Sequence, residues 1–213
     1  MDSKKAFFNN LDSGLYVVAT PIGNLGDFSV RAQFILKSCD LLIAEDTRIA
    51  KKLLSAFNLN TPKLGIISMH KFNESKSIMK FEKFDLKGLI FALVSDAGTP
   101  TICDPGSKLV KFCHEKGIKV FGVPGPCSLI TAFSVSGFES EKNTPLVFWG
   151  FFPRKFKEQK NILKNMKDIG GHFVFFQTSS RLKNSLEVCE KELGGNCNLF
   201  VGREITKKFE TLW

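Results

Sequence analysis

Arginine is scarce in this 213-residue chain, and so are histidine, tyrosine and tryptophan. Five arginines stand against 25 lysines, with three histidines, two tryptophans and one tyrosine. Long apolar runs are absent too. None approaches the ~18 residues a membrane helix needs, and the longest, 146–152, is interrupted by Gly150. Residues 1–14 hold no apolar core and no small-residue cleavage site, so no secretion signal is expected there. There is no CxxC, and no Cys/His spacing fits zinc, so no metal is expected. The six cysteines (Cys39, Cys103, Cys113, Cys127, Cys189 and Cys197) lie mostly in apolar segments. That predicts buried, reduced thiols and a cytoplasmic location. Neither GxxxxGK[ST] nor GxGxxG occurs, which disfavours ATP hydrolysis and ordinary dinucleotide binding. With 43% hydrophobic and 24% charged residues, neither disorder nor coiled coil describes the whole chain.

What is present is positive charge. The formal net charge is +9, and residues 141–183 carry nine Lys and Arg against three acids. Such a field predicts a polyanionic partner, RNA or DNA ahead of membrane; a solvated lysine face is the alternative. The few arginines (Arg31, Arg48, Arg154, Arg181 and Arg203) mark places where a planar fork is needed that Lys cannot imitate.

Short apolar runs alternate with amphipathic stretches. Strands are predicted over 15–19, 40–44, 64–68, 89–94, 119–123, 146–151, 173–177 and 198–202. Helices are predicted over 29–37 (Val30, Phe34 and Leu36 inward), 46–57 (Ile49, Leu53 and Leu54 on one face), 74–84, 105–116, 127–135, 157–166 and 181–193. Repeated β-α units predict an α/β class with mainly parallel pairing in the first half. The break at Pro124-Gly125-Pro126 suggests two α/β domains, 14–123 and 124–213.

Ligands of open α/β sheets bind beyond the carboxyl ends of the strands. Here those ends carry TPIGNLGD (20–27), AEDTR (44–48), SMHKFNES (68–75), SDAGTP (95–100) with CDPG (103–106), and VPGPCS (123–128). One rim therefore gathers the glycines and polar side chains. Asp96 suits a ligand hydroxyl or amine, or else a turn or helix cap. Glu45, Asp46 and Arg48 form a charged cluster whose plainer explanation is helix capping. His70, Asn73 and Glu74 have the chemistry to orient a substrate or move a proton, although a histidine at a strand end is more often structural.

The strings LYVVATPIGN, AEDTR, LVSDAGTPTICDPG, GVPGPCSLITAFSVSG, GFFPRK and GREITKKFE run in order from Leu15 to Glu210. Together they resemble the ribosomal RNA small-subunit methyltransferase I family, within the tetrapyrrole-methylase superfamily. The resemblance implies two α/β domains with a cofactor cleft between them, a homodimer, and S-adenosyl-L-methionine as methyl donor. It implies that Pro21, Ile22 and Gly23 line the cofactor pocket. Asp96, Ala97 and Gly98 would contact the cofactor, and Ser128 and Leu129 would hold its amino-acid or adenine portion. The implied reaction methylates a cytidine ribose 2′-hydroxyl in 16S rRNA of the small ribosomal subunit.

Direct in-line displacement requires oxygen and methyl carbon about 3 Å apart, and a positioned base helps a poorly acidic hydroxyl. Glu45, Asp46, His70 and Glu74 are the candidates for that base. Arg48, Arg154, Lys155 and Arg203 would hold phosphates, with Asn73 orienting the substrate. The chain departs from the family at Gln177-Thr178-Ser179-Ser180-Arg181, where members usually carry Glu-Ser-Pro-His-Arg. Members also normally continue beyond the position of Trp213, so the C-terminal sheet is expected to lack a strand. A tetrapyrrole-like small-molecule methylase and a non-catalytic RNA-binding paralogue are the alternatives.

Overall fold

The computed structural model describes residues 11–82 and 86–213. The chain divides into two compact units, one ending at Cys127 and one running from Ser128 to Trp213.

The first unit is built on five strands: β1 (Gly14–Val18), β2 (Leu41–Ala44), β3 (Ile66–Ser68), β4 (Ile90–Val94) and β5 (Val120–Val123). They lie in the order β3-β2-β4-β1-β5, and every pairing is parallel, as the β-α alternation predicted. Four helices connect them: α1 (Val30–Ser38), α2 (Thr47–Ala56), α3 (Glu74–Phe81) and α4 (Ser107–Glu115). Residues 83 and 84 of the helix predicted over 74–84 lie outside the described residues, as does most of the N-terminal segment considered for a secretion signal.

Parallel crossovers are right-handed. The chain moves in one direction from β1 to β2 to β3 and returns from β3 to β4 to β5. The helices of the two journeys must therefore cover opposite faces, and two separate cores result. Tyr16, Val18, Leu42 and Val94 meet Ile35 and Leu36 of α1 and Leu54 of α2. Leu15, Ile43, Phe91 and Leu93 meet Phe81 of α3 and Leu109 and Phe112 of α4. Alternate residues of each strand feed the two cores, which is why these strands read as unbroken apolar runs.

The inward face of α1 differs in part from the one predicted: Leu36 is inward as expected, Val30 is not. Ser29 caps the helix by accepting from the Ala32 N–H, and the stripe that meets the sheet is Ala32, Ile35, Leu36 and Cys39. Val30 is left 68% exposed. Helix α4 begins later than Pro105 suggested, because Gly106 at φ +121 cannot be helical. A Cβ there would sit 2.5 Å from Cδ2 of the buried Leu93. Gly106→Ala is accordingly expected to cost about 2–4 kcal/mol through overpacking and strain, read as a lower denaturant midpoint at unchanged slope.

In the second unit, α5 (Ser128–Val135) precedes β6 (Leu146–Phe151), which pairs in parallel with β7 (His172–Phe176). The connecting α6 (Phe156–Ile169) packs beside α7 (Ser179–Leu193). Phe152 is buried and stacks on Phe175 at 4.6 Å. The strand predicted over 198–202 forms only as β8 (Gly202–Arg203), antiparallel to β9 (Thr211–Leu212). Val201 and Trp213 exchange backbone bonds that extend this ladder. Its partner is a returning segment, which a single-strand pattern does not identify.

All six cysteines are free, but only Cys39 and Cys113 are buried; Cys103 and Cys197 are exposed. Burial pushes the Cys39 and Cys113 thiols up to about 12, so they remain protonated packing groups. Among the described residues, no helix is long and apolar enough to cross a membrane.

Candidate functional site

Five parallel strands place all their carboxyl ends on one edge of the first unit. The connection from β2 leads toward β3 and that from β4 toward β5. These neighbours therefore send their loops apart and open a crevice between them, where such sheets bind ligands.

The loops around the crevice are knitted together. Thr20 and Gly98 exchange both backbone hydrogen bonds, at 2.9 and 3.1 Å. The Thr20 hydroxyl also donates to Ser95 O at 3.3 Å. Gly98 takes φ +84, and a Cβ there would meet Ile22 at 3.2 Å. Thr99 Oγ1 donates to Pro126 O at 3.0 Å. The loops after β1, β4 and β5 thus form one braced rim. The β4 loop continues through Thr101 and Cys103, both with left-handed backbone, a strain that concentrates at functional sites.

Glu45 and Asp46 end β2 at the crevice, and their environments differ. The Asp46 N–H donates to Asp96 Oδ1 at 3.0 Å, bridging the ends of β2 and β4. The Asp46 carboxylate caps α2 by accepting from the Arg48 N–H at 2.8 Å and also pairs with the Arg48 guanidinium. Those hydrogen bonds hold its carboxyl at about 2. The Glu45 carboxyl is raised, first by burial and then by the negative charges of Asp104, Asp96 and Asp46. Asp104 is itself raised by burial, opposed by the Ser95 hydroxyl and reinforced by Asp96. Glu45 is therefore the better base of the adjacent pair. Asp104 was not singled out from the sequence, although it is the lone acid between Thr99 and Gly106.

On the face covered by α1 and α2, lined in part by Asp46 and Asp96, lies a cavity of about 320 Å³. Apolar Pro21, Leu25, Ile49 and Leu53 share its lining with Asp46 and Asp96. Gly23 also reaches it, whereas Ile22 packs toward Gly98. Ala97 is exposed at the tip of the β4 loop. Ile49, which the sequence puts on one face with Leu53 and Leu54, is 38% exposed and lines this cavity.

At the end of β3 the residues serve their own turn. Asn73 Oδ1 accepts from the His70 N–H at 2.7 Å, and its amide donates to Ser68 O at 3.1 Å. His70 Nδ1 accepts from the Phe72 N–H at 3.3 Å. Glu74 is buried. Its Oε1 accepts from the Gly106 and Lys108 N–H groups at 2.9 and 3.0 Å, supplying the cap that Gly106 lacks. The geometry gives Asn73 and Glu74 holding roles.

The remaining predicted residues lie in the second unit. Ser128 opens α5, and Leu129 is buried. Arg154 and Arg203 are exposed, and Lys155 pairs with Glu158 at 3.4 Å. Lys157, Lys160, Lys164 and Lys167 line a shallow hollow along α6, where Lys160 pairs with Glu192 of α7 at 3.1 Å. In the altered 177–181 segment, Gln177 donates to Ser185 and Arg181 Nε donates to Thr178. Among the described residues, no group of acids, histidines and cysteines could hold a metal ion.

The family described as tetrapyrrole (corrin/porphyrin) methylases matches residues 14–213. A protein named ribosomal RNA small subunit methyltransferase I from Vibrio cholerae serotype O1 is 42% identical over 198 residues, covering 93% of this chain and 67% of that protein. The protein of the same name from Escherichia coli O157:H7 is 39% identical over 204 residues, covering 96% and 69%. That from Mesomycoplasma conjunctivae is 38% identical over 196 residues, covering 91% and 79%. Among solved structures, a cobalt precorrin-4 methyltransferase of cobalamin biosynthesis superposes with a TM-score of 0.60 at 15% identity, over 93% of this chain and 83% of that one. At that identity the likeness is one of fold.

Proposed function

This chain belongs to the tetrapyrrole (corrin/porphyrin) methylases, and on that premise we propose that it methylates the ribose 2′-hydroxyl of a nucleotide in 16S ribosomal RNA, with S-adenosyl-L-methionine as donor. The observation that carries the reading is the crevice between β2 and β4, where Asp46 and Asp96 line a braced, partly apolar cavity and the raised carboxyl belongs to Glu45, the residue before Asp46. The relatives named for small-subunit rRNA supply the substrate class, and the +9 charge suits it. Such a substrate also means work in the cytoplasm, where small subunits mature.

The cavity fits the donor by its chemistry. Apolar side chains suit a purine and methylene groups, while Asp46 and Asp96 offer negative charge toward a sulfonium or ammonium group and Lys52 suits a carboxylate. Pro21–Gly23 and Asp96–Gly98 would hold it. S-adenosyl-L-methionine supplies an already electrophilic methyl group, so no covalent enzyme intermediate is required. Glu45 accepts the hydroxyl proton as the oxygen attacks. Asp46, fixed by Arg48, remains ionised and holds the start of α2 in place. The exposed Arg154, Lys155 and Arg203 engage phosphates, which position RNA without reading its sequence.

Calorimetry with S-adenosyl-L-methionine, followed by tritium transfer from it to 30S subunits lacking the modification, tests the proposal. Label is expected in a dinucleotide that resists alkali, because a 2′-O-methyl group blocks cleavage of the adjacent phosphodiester. Label in a base, transfer to a tetrapyrrole instead, or donor binding without transfer would each refute it. The homodimer implied by the resemblance is read from sedimentation of the same preparation.

A further inference from the structure

The turn after β3 carries an unusual side chain. Phe72 is 92% exposed, the highest value among the large hydrophobic residues described. Its backbone is nevertheless firmly held. The Phe72 N–H is bound to His70 Nδ1, and Asn73 ties the His70 N–H and Ser68 O together. The Asn73 and Glu74 N–H groups both donate to His70 O. The ring is therefore presented on a rigid support without packing on the protein's own core. Its neighbours are cationic or polar: Lys71 and Lys76 are exposed, and Lys108 reaches Ser75 at 3.0 Å. The His70 ring lies 6.3 Å away, tilted by 60°. The turn sits on the same carboxyl rim as Glu45, tied to it where Ser68 Oγ donates to Glu45 O at 3.2 Å.

An exposed aromatic face among cations fits an unpaired nucleobase flanked by phosphates. A protein partner would more often meet a continuous apolar patch. We propose that Phe72 is a nucleobase-stacking platform, with Lys71 and Lys76 receiving the adjoining phosphates. It would seat an unstacked base of the RNA substrate beside the methyl-transfer site. The proposal rests on the RNA reading above and adds the subsite that positions the strand.

The test uses the full chain and a single-stranded RNA 12-mer containing one 2-aminopurine. Anisotropy gives affinity, and quenching of 2-aminopurine reports stacking. Phe72→Ala is expected to weaken binding about 5- to 150-fold, the range for loss of one base–aromatic stack, and to abolish the quench. Phe72→Trp is expected to restore both. The salt dependence of binding stays unchanged in these variants, whereas Lys71→Gln lowers its slope by about 0.7. The melting midpoint of Phe72→Ala should match the parent, because the ring contributes little to the core. If the parent binds and quenches but Phe72→Ala does so equally, the stacking subsite is refuted and the RNA reading stands. If the parent binds no RNA, both fall. If Phe72→Ala instead changes only the sedimentation of the protein, the ring belongs to a contact between copies and the proposal is overturned.

Discussion

Glu45→Gln is expected to lower methyl transfer by about 10²–10⁴-fold, the usual contribution of a positioned general base, while donor affinity measured by calorimetry stays within about twofold of the parent, since the change is isosteric. The parent rate should rise with pH along a limb set by Glu45, because the base works only when ionised. Burial and three neighbouring carboxylates put that limb above the ~4.3 of a free glutamate. Stability should move the other way. A carboxyl raised by folding contributes stability that is fully present below its unfolded pKa and lost as pH rises through its folded one. At neutral pH the ionised Glu45 is therefore a cost to the fold. Glu45→Gln should melt higher than the parent at pH 8, with the gain vanishing near pH 4. Parent-like turnover in this variant would place the base elsewhere.

Glu74→Ala is expected to destabilise the fold of the first unit substantially. The carboxylate joins α3 to the start of α4 through two charge-assisted bonds. Its removal leaves the Gly106 and Lys108 N–H groups at a helix start with no side-chain cap. A loss of about 3 kcal/mol is expected from such bonds, equivalent to a fall in melting midpoint of roughly 6–12 °C for a chain of this size. Glu74→Gln keeps an acceptor in place and should lose less than half as much. Because α4 follows the β4 loop, the alanine variant should also weaken donor binding when assayed well below its melting midpoint. If both variants melt like the parent, the cap is not what holds α4 in register.

Much of the first unit was legible from pattern. Continuous apolar runs ending in glycine and polar residues specify strands buried on both faces, and their shared polarity predicts a single ligand rim. Helix faces were less legible. In α1 the apolar residues admit more than one stripe, and the capping by Ser29 together with contact to the sheet selects Ala32, Ile35 and Leu36 over Val30. The 198–202 run reads as a sheet strand, but only its end pairs, Gly202 with Leu212 and Val201 with Trp213, on a short segment that returns after the following turns.

The candidate site divides in the same way. Asp46 as a cap and Glu45 as its neighbour could be named from AEDTR alone, yet their opposite proton affinities could not. Those depend on Arg48 reaching back to one carboxylate and on Asp104 and Asp96 approaching the other from loops about 50 or more residues away. Glu74 shows the reverse case. Its position at a strand end suggested proton chemistry, and tertiary contact assigned it to a distant helix start.

Sequence by itself determined the α/β alternation, the polarity of the strands, the family and the rim on which the glycine-rich and polar loops gather, because each follows from local periodicity or from ordered motifs. Only the tertiary structure decided which carboxylate is desolvated, which is paired, and which aromatic ring is left facing water. Burial and charge–charge distance are properties of groups brought together from remote parts of the chain, and no local pattern encodes them.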